Sequence, residues 1–483
     1  MATSIKKNFV FNIILTLSTY IINIFLFPYV SRTLGVENVG KIGFVTNVIT
    51  YFTLFAMLGV GNVGIREIAK YREDRAKRSK VFSEIICILL ILMSIVLVCY
   101  LIAIFSVPRL KENINLFIIG VPFLLSSSFL LEWLYQGMEN FKFITKRSII
   151  IRIMYALSVV LIIHSPKDYY IYFCLTTLTW VANSIINILY ARKFVDFTLK
   201  GLDIKRHIKS VLSLGLFKIM TSMYTTFNIL YLGFVCSDTE VGYYYTSTKL
   251  FYIILGVMTA FTSVMLPRMS YLAVQSDKTE FNNKIINSFE LVFSCAMPLA
   301  IYCILFAPQI ISLLAGSSFE GAILPMRIIM PLIILTSMSQ IYIIQTLTPL
   351  KKDKIIMCGS CVGAVVAIIA NILLVERYGA IGSALVLLCS EICCFLVSFI
   401  YSTRKHIVKF PYSKFMKNIV LCMIYMFVGY VILSLDCNTL VKLLLSVIVF
   451  LLIFTTMHLF VIKGTFINNQ LKSIIKVKKY VNF

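Results

Sequence analysis

Four basic residues stand where an apolar chain tolerates charge poorly. Lys218 and Lys249 lie inside long apolar stretches, Arg327 sits near the end of another, and Arg32 closes the first. A charge at the centre of a bilayer costs roughly 2.5–3.5 kcal/mol or more, so it faces a wet cavity or a partner. On a helix, Lys218, Ser222, Thr225 and Asn228 share one face by i, i+3 and i+4 spacing, and Tyr245, Lys249, Tyr252 and Gly256 share another. At ~1.5 Å per residue, Lys218 lies ~12 Å into its helix and Lys249 ~10 Å into the next. Asn12, Thr16, Thr19 and Asn23 form an uncharged stripe on the first helix, and Asn47, Thr50 and Tyr51 project from the second. The chemistry these residues suggest is binding, not bond-making. Arg32, Lys218, Lys249 and Arg327 would neutralise a phosphate or diphosphate, the arginines through paired hydrogen bonds. Asn23, Asn47, Ser222 and Asn228 would line the same cavity. The alternative is structural: the cations pair with Glu290 or Glu391 or reach to the interface, and the polar stripe is glue between helices. Arg152 and Lys442, near helix ends, fit that reading.

The elements that must position these residues are helices in lipid. The chain has 483 residues and is 59% hydrophobic, with a mean hydropathy of +0.91; soluble proteins are typically ~45–50% apolar. Residues 85–107, 355–375 and 443–462 contain no charged side chain. Each is close to the ~20 residues that cross the hydrocarbon core as a helix. The pattern predicts an all-α polytopic membrane protein of about fourteen transmembrane helices, with twelve as the competing count. They fall at roughly 9–31, 41–63, 81–106, 114–136, 148–164, 169–190, 210–233, 243–266, 285–307, 322–348, 355–375, 379–401, 415–435 and 440–462. Pro298, Pro308, Pro325 and Pro331 interrupt the ninth and tenth. The first run, 9–30, is too long for a cleaved signal peptide and reads as a membrane helix.

Charge orients the assembly. The chain carries 45 Lys and Arg against 21 Asp and Glu, a net charge of +24. With the N-terminus placed inside, 34 of the 45 fall in inside segments, 6 outside and 5 within spans. Cytoplasmic loops collect Lys and Arg, so both termini are expected in the cytoplasm. The same rule explains the basic charge without nucleic acid, and no nucleic-acid motif is present. The outer connections, such as Ser237-Asp238-Thr239-Glu240 and Leu435-Asp436-Cys437-Asn438, are little more than turns. No outer domain can be built from them.

The sequence Val36-Glu37-Asn38-Val39-Gly40 and, later, Thr46 aligns with Asp238-Thr239-Glu240-Val241-Gly242 and Thr248 at an offset of 202 residues. Both copies open a helix on the outer side, six helices apart. Internal repeats of this kind recur in secondary transporters. The expected organisation is an N-terminal six-helix lobe over 1–205, a second six-helix lobe over 206–403 in pseudo-two-fold relation, and two further helices with a basic tail over 404–483. The 13 Cys residues, among them Cys87, Cys295, Cys393 and Cys394, sit mostly in apolar runs. Cys358-x-x-Cys361 has no second pair at ligand spacing, and the four His are scattered. No metal and no cofactor are expected.

Five stretches together resemble the polysaccharide-export type of oligosaccharide flippase, within the multidrug/oligosaccharidyl-lipid/polysaccharide superfamily. They are Phe27-Pro28-Tyr29-Val30-Ser31-Arg32-Thr33-Leu34-Gly35 running on to Gly40; Leu58-Gly59-Val60-Gly61 through Gly64-Ile65-Arg66-Glu67-Ile68-Ala69; Glu132-Trp133-Leu134-Tyr135-Gln136-Gly137; Val241-Gly242-Tyr243-Tyr244 through Leu266-Pro267-Arg268; and Gly379-Ala380-Ile381-Gly382-Ser383-Ala384. The resemblance spans most of the chain through loose, apolar-rich motifs. It implies a two-lobed, fourteen-helix transporter that is not an enzyme. Such a protein flips undecaprenyl-diphosphate-linked oligosaccharide repeat units to the outer leaflet by alternating access, for capsule or O-antigen assembly. The implied partners are the lipid-linked oligosaccharide, membrane lipid and a coupling ion, H+ or Na+. The family's cavity is typically cationic, and of the four cations only Arg32 lies in a matched motif. Two rivals stand beside this reading: a drug/cation antiporter on the same fold, and a membrane-embedded polysaccharide polymerase.

Overall fold

A computed structural model describes residues 5–275, 279–405 and 407–458. The basic tail expected over 463–479 lies outside the described residues. Among these residues every regular element is helical and there is no strand. The chain forms two compact units, Met1–Gly242 and Tyr243–Phe483.

In the first unit the labelled helices are α1 (Ile5–Met57), α2 (Val60–Lys70), α3 (Arg75–Ser106), α4 (Phe141–Ile162), α5 (Tyr169–Ala191), α6 (Lys205–Thr225) and α7 (Phe227–Val235), with a broken span, Ile114–Gly137, between α3 and α4. α3 shows how lipid shapes the sequence. Asp74 caps it by accepting the Lys77 N–H at 3.0 Å, and Pro108 follows its end, where the ring cannot continue a helix. Between them Ile91, Ile95, Val98, Ile102 and Phe105 form one exposed stripe. Five large apolar side chains in a row on a surface mark contact with hydrocarbon.

Each of the fourteen expected stretches is mostly helical as far as it is described, with breaks such as residues 129–131 in the fourth. By length and apolarity, nine helices among the described residues can cross a membrane, or ten with the bent pair Ser317–Ile329 and Leu332–Leu347 counted as one span. The difference from fourteen has visible causes. The first two expected spans run together as α1, bent at Gly35 (φ 76°), and the eleventh and twelfth run together over Asp353–Arg404, bent at Gly379 (φ 53°). Both glycines occupy the left-handed region that L side chains avoid. α4 carries Lys142, Lys146, Arg147 and Arg152, and the seventh expected span breaks at Thr226 into α6 and α7.

Lipid gives helices no hydrophobic reason to associate, so close backbone packing at small residues takes that role. Gly40 of α1 packs so tightly against Asp238 and Gly242 that an added methyl would overlap the Asp238 carbonyl. Gly242 in turn packs on the Val36 carbonyl. These contacts exchange under the 202-residue offset of the internal repeat, so the repeat meets itself. A second glycine pair, Gly59 and Gly215, brings the α1–α2 junction against α6, with Leu58 held at a strained φ of 36°. Two of the quoted motifs also prove to be packing partners: the Trp133 ring lies on Gly64, and Gly137 on Ile65 and Ile68 of α2.

The second unit holds α8 (Asp238–Val274, whose first residues belong to the first unit), α9 (Thr279–Leu305), α10 (Asp353–Ala370), α11 (Glu376–Arg404), α12 (Tyr412–Ser434) and α13 (Thr439–Thr456). Thr262 and Thr259 of α8 exchange hydrogen bonds with Gln340, both 2.9 Å long. The last two helices dock on α9 through Tyr302, Phe306, Tyr425 and Phe450.

Candidate functional site

Between the two glycine contacts, α1 and α6 stand apart and enclose a cavity of about 290 Å3. Thr50, Tyr51 and Leu54 line it from α1; Lys218, Thr221, Ser222 and Thr225 line it from α6. α6 is anchored below the cavity. The buried Glu84 of α3 accepts the Asp203 backbone N–H at 2.9 Å and the Arg206 guanidinium at 2.5 Å, with His207 Nε2 at 2.9 Å. Above it, the Tyr51 hydroxyl donates to the Ser222 carbonyl at 3.0 Å, bridging the two walls.

Lys218 is half-buried. Gly61 faces it: a β-carbon placed there would lie 3.9 Å from Nζ, in ordinary van der Waals contact. Among the described residues no carboxylate pairs with it. Glu290 takes Lys414 at 2.5 Å, and Glu391 accepts the Thr336 hydroxyl at 3.3 Å. The hydroxyls around Lys218 are spoken for as donors: Thr50 gives its proton to the Thr46 carbonyl, Thr221 to Phe217, and Thr225 to Thr221. The Thr50 and Thr221 oxygens keep lone pairs that can accept. The wall therefore offers one strong cationic donor set amid acceptors, with no acid among the described lining residues. That combination suits an anionic group carrying hydroxyls of its own.

Of the eight residues singled out from sequence, Lys218 and Ser222 share this cavity. Asn47 lies about one turn away, buried, and donates to the Gly43 carbonyl of its own helix at 2.8 Å. Asn228 is buried beyond the break at Thr226. Asn23 is half-buried and Arg32 exposed, on either side of Pro28. Lys249 and Arg327 belong to the second unit: Lys249 Nζ sits 5.3 Å from the Tyr245 ring centre, and Arg327 is exposed with its Nε on the Ile304 carbonyl at 3.2 Å. Thr221 and Thr226 line the cavity without having been singled out. Thr221 is three residues from Lys218, so the spacing that selected Ser222 could have found it. The second unit has a cleft of its own, about 350 Å3 between α8, α9, α12 and α13, walled by Met258, Leu299, Phe450 and Leu451 and suited to hydrocarbon.

Residues 5–273 match the family described as "Polysaccharide biosynthesis protein". A protein of Escherichia coli (strain K12) named "Putative O-antigen transporter" is 23% identical over 391 residues, covering 80% of this chain and 94% of its own length. Among solved structures, the lipid II flippase MurJ in an inward closed conformation superposes with a TM-score of 0.72 at 16% identity, covering 93% of this chain and 98% of its own. An outward-facing multidrug resistance MATE family transporter of the MOP superfamily gives 0.58 at 15% identity, with 83% and 95% covered. The two structural likenesses establish the fold alone: an all-helical architecture shared with those two proteins.

Proposed function

We propose, from the premise that this chain belongs to the polysaccharide biosynthesis protein family, that it flips undecaprenyl-diphosphate-linked oligosaccharide repeat units across the cytoplasmic membrane for capsule or O-antigen assembly. Its role is transport, with no bond made or broken in the substrate. The observation that carries this reading is the Lys218 ammonium: half-buried, without a carboxylate partner among the described residues, in a hydroxyl-lined cavity. A charge held there at a cost of several kcal/mol needs a compensating anion, and a diphosphate supplies one. Sugar hydroxyls then donate to the threonine and serine oxygens.

The mechanism is alternating access. The Gly40–Gly242 and Gly59–Gly215 contacts flank the cavity along α1. Parting one contact at a time opens the cavity to one side and then the other, and a gradient of H+ or Na+ resets the cycle. The protein sits in the bacterial inner membrane with both termini cytoplasmic, and its functional halves are the lobes 1–205 and 206–403. Arg32, Lys249 and Arg327, with Asn23, Asn47 and Asn228, meet the substrate at other stages of that cycle. The antiporter reading is weaker because a cation carrier needs an acid in the cavity, and the described lining has none.

The test is flipping in proteoliposomes with a fluorescent lipid-linked oligosaccharide. Removing a charge-assisted hydrogen bond worth about 1.5–3 kcal/mol slows transport roughly tenfold to a hundredfold. Lys218→Ala is therefore expected to fall by that factor at unchanged membrane level, and Lys218→Arg to keep most of the rate. An unaltered rate in Lys218→Ala overturns the reading.

A further inference from the structure

A larger cavity of the first unit lies elsewhere. It opens between the start of α4 and the end of α5, holds about 470 Å3, and is lined by Lys142, Phe143, Lys146, Arg147, Ile150, Ile186 and Tyr190 among others. Its two ends differ in chemistry. At the connector end, Lys142 and Lys146 are exposed one turn apart on the same helix face. Lys193 lies over the Tyr190 ring at 5.1 Å, and that ring stacks on Phe143 at 3.8 Å. The floor is Arg147, buried at 5% exposure, whose terminal nitrogens are held by Glu132 at 2.9 Å, Ser148 at 2.9 Å and Asn187. Its Nε is also buried and has no hydrogen-bond partner among the described residues.

At the other end the cleft turns apolar. Ile150 and Ile186 are 47% and 39% exposed, and Ile150 opens a row that continues down α4 through Met154, Leu157 and Leu161, all exposed. Cations at the connector end and an apolar row running into the bilayer match the two parts of a phospholipid. A basic pocket between membrane helices beside the basic connectors is also where anionic headgroups are captured. We infer that this cleft binds an anionic phospholipid of the leaflet facing the basic connectors, its phosphate on Lys142 and Lys146 above Arg147 and an acyl chain along the α4 row. Free phosphate would satisfy the cations but leave the apolar row exposed. The site is separate from the Lys218 cavity and does not depend on the transport reading.

The occupant has a structural consequence. Arg147 holds Glu132, whose neighbour Trp133 covers Gly64 of α2. A headgroup at this point braces the helix that follows the α1–α2 junction.

The test is native mass spectrometry of the delipidated full chain titrated with phosphatidylglycerol, phosphatidylcholine or inorganic phosphate. Wild type is expected to retain phosphatidylglycerol selectively. The pair Lys142→Gln and Lys146→Gln should weaken that binding roughly thirtyfold, from two near-surface lysines, while Lys352→Gln with Lys354→Gln should leave it unchanged. Equal binding of phosphatidylcholine overturns the inference, as does capture of inorganic phosphate without preference for the lipid. An equal loss in the second lysine pair overturns it too, because that would mean diffuse surface charge.

Discussion

Lys218 defines its cavity because three residue-level features coincide: a glycine opposite it, hydroxyls that have already given their protons away, and no acid within the described lining. Tyr51 has a different part. Its hydroxyl ties α1 to the Ser222 carbonyl, a link of the kind worth about 1 kcal/mol net. Tyr51→Phe should thus lower thermal stability by about that amount and slow flipping by only a few-fold, far less than Lys218→Ala. A Tyr51→Phe variant as slow as Lys218→Ala would show that bridging, and not charge, limits transport. The sequence made this site half legible. Helical spacing put Lys218 and Ser222 on one face, and they share the cavity. The same spacing carried on to Asn228, because nothing in a run of polar residues announces the break at Thr226. Asn47 lies near the cavity with its amide donating to its own helix. A side chain that satisfies itself locally leaves no mark on periodicity.

At the scale of elements, the glycine contacts decide where helices can approach. Because a methyl at Gly40 meets a backbone carbonyl, no side chain can swing aside to admit it. Gly40→Ala must push α1 off the start of α8, and overpacking of this kind costs about 1–3 kcal/mol. Gly242→Ala strains the same contact from the other side. Once the helices have parted for one methyl, the second finds space already made, so the double variant should lose less stability than the two single losses added together. Melting curves of the three variants in detergent measure this, and strict additivity would mean that the glycines do not share one contact. The repeat that brought these residues to notice was legible as two short matches 202 residues apart. That the copies touch each other was not, since an offset in sequence carries no distance. The bends at Gly35 and Gly379 were equally hidden, because glycine is frequent in membrane helices and its presence alone does not mark a bend.

For the whole chain, sidedness is the property on which transport direction rests, and it joins two things: basic segments held together in space and the charge rule that assigns their side. The connector after α5 is stitched to the start of α3: Arg75 pairs with Asp196 at 3.0 Å, Arg78 donates to the Phe194 carbonyl at 2.7 Å, and Ser79 and Ser83 accept the backbone N–H groups of Asp196 and Thr198. Two strongly basic segments, 66–80 and 192–209, are thereby held at one end of the first unit. At the other end Arg109 binds the Gly233 carbonyl at 2.7 Å and Asp238 at 2.6 Å, joining connectors that carry few cations. Lys and Arg gather where they need not cross the membrane, so the stitched end should be cytoplasmic. In a background with the native cysteines removed, Ala76→Cys and Lys205→Cys should resist an impermeant maleimide added to whole cells and react after permeabilisation, whereas Ser237→Cys should react in intact cells. Labelling of Ala76→Cys and Lys205→Cys from opposite sides would break the stitched end apart, and with it the cavity whose lower wall Glu84 anchors. Labelling of Ala76→Cys and Lys205→Cys from outside, with Ser237→Cys protected, would leave the fold standing and reverse the direction in which the substrate moves.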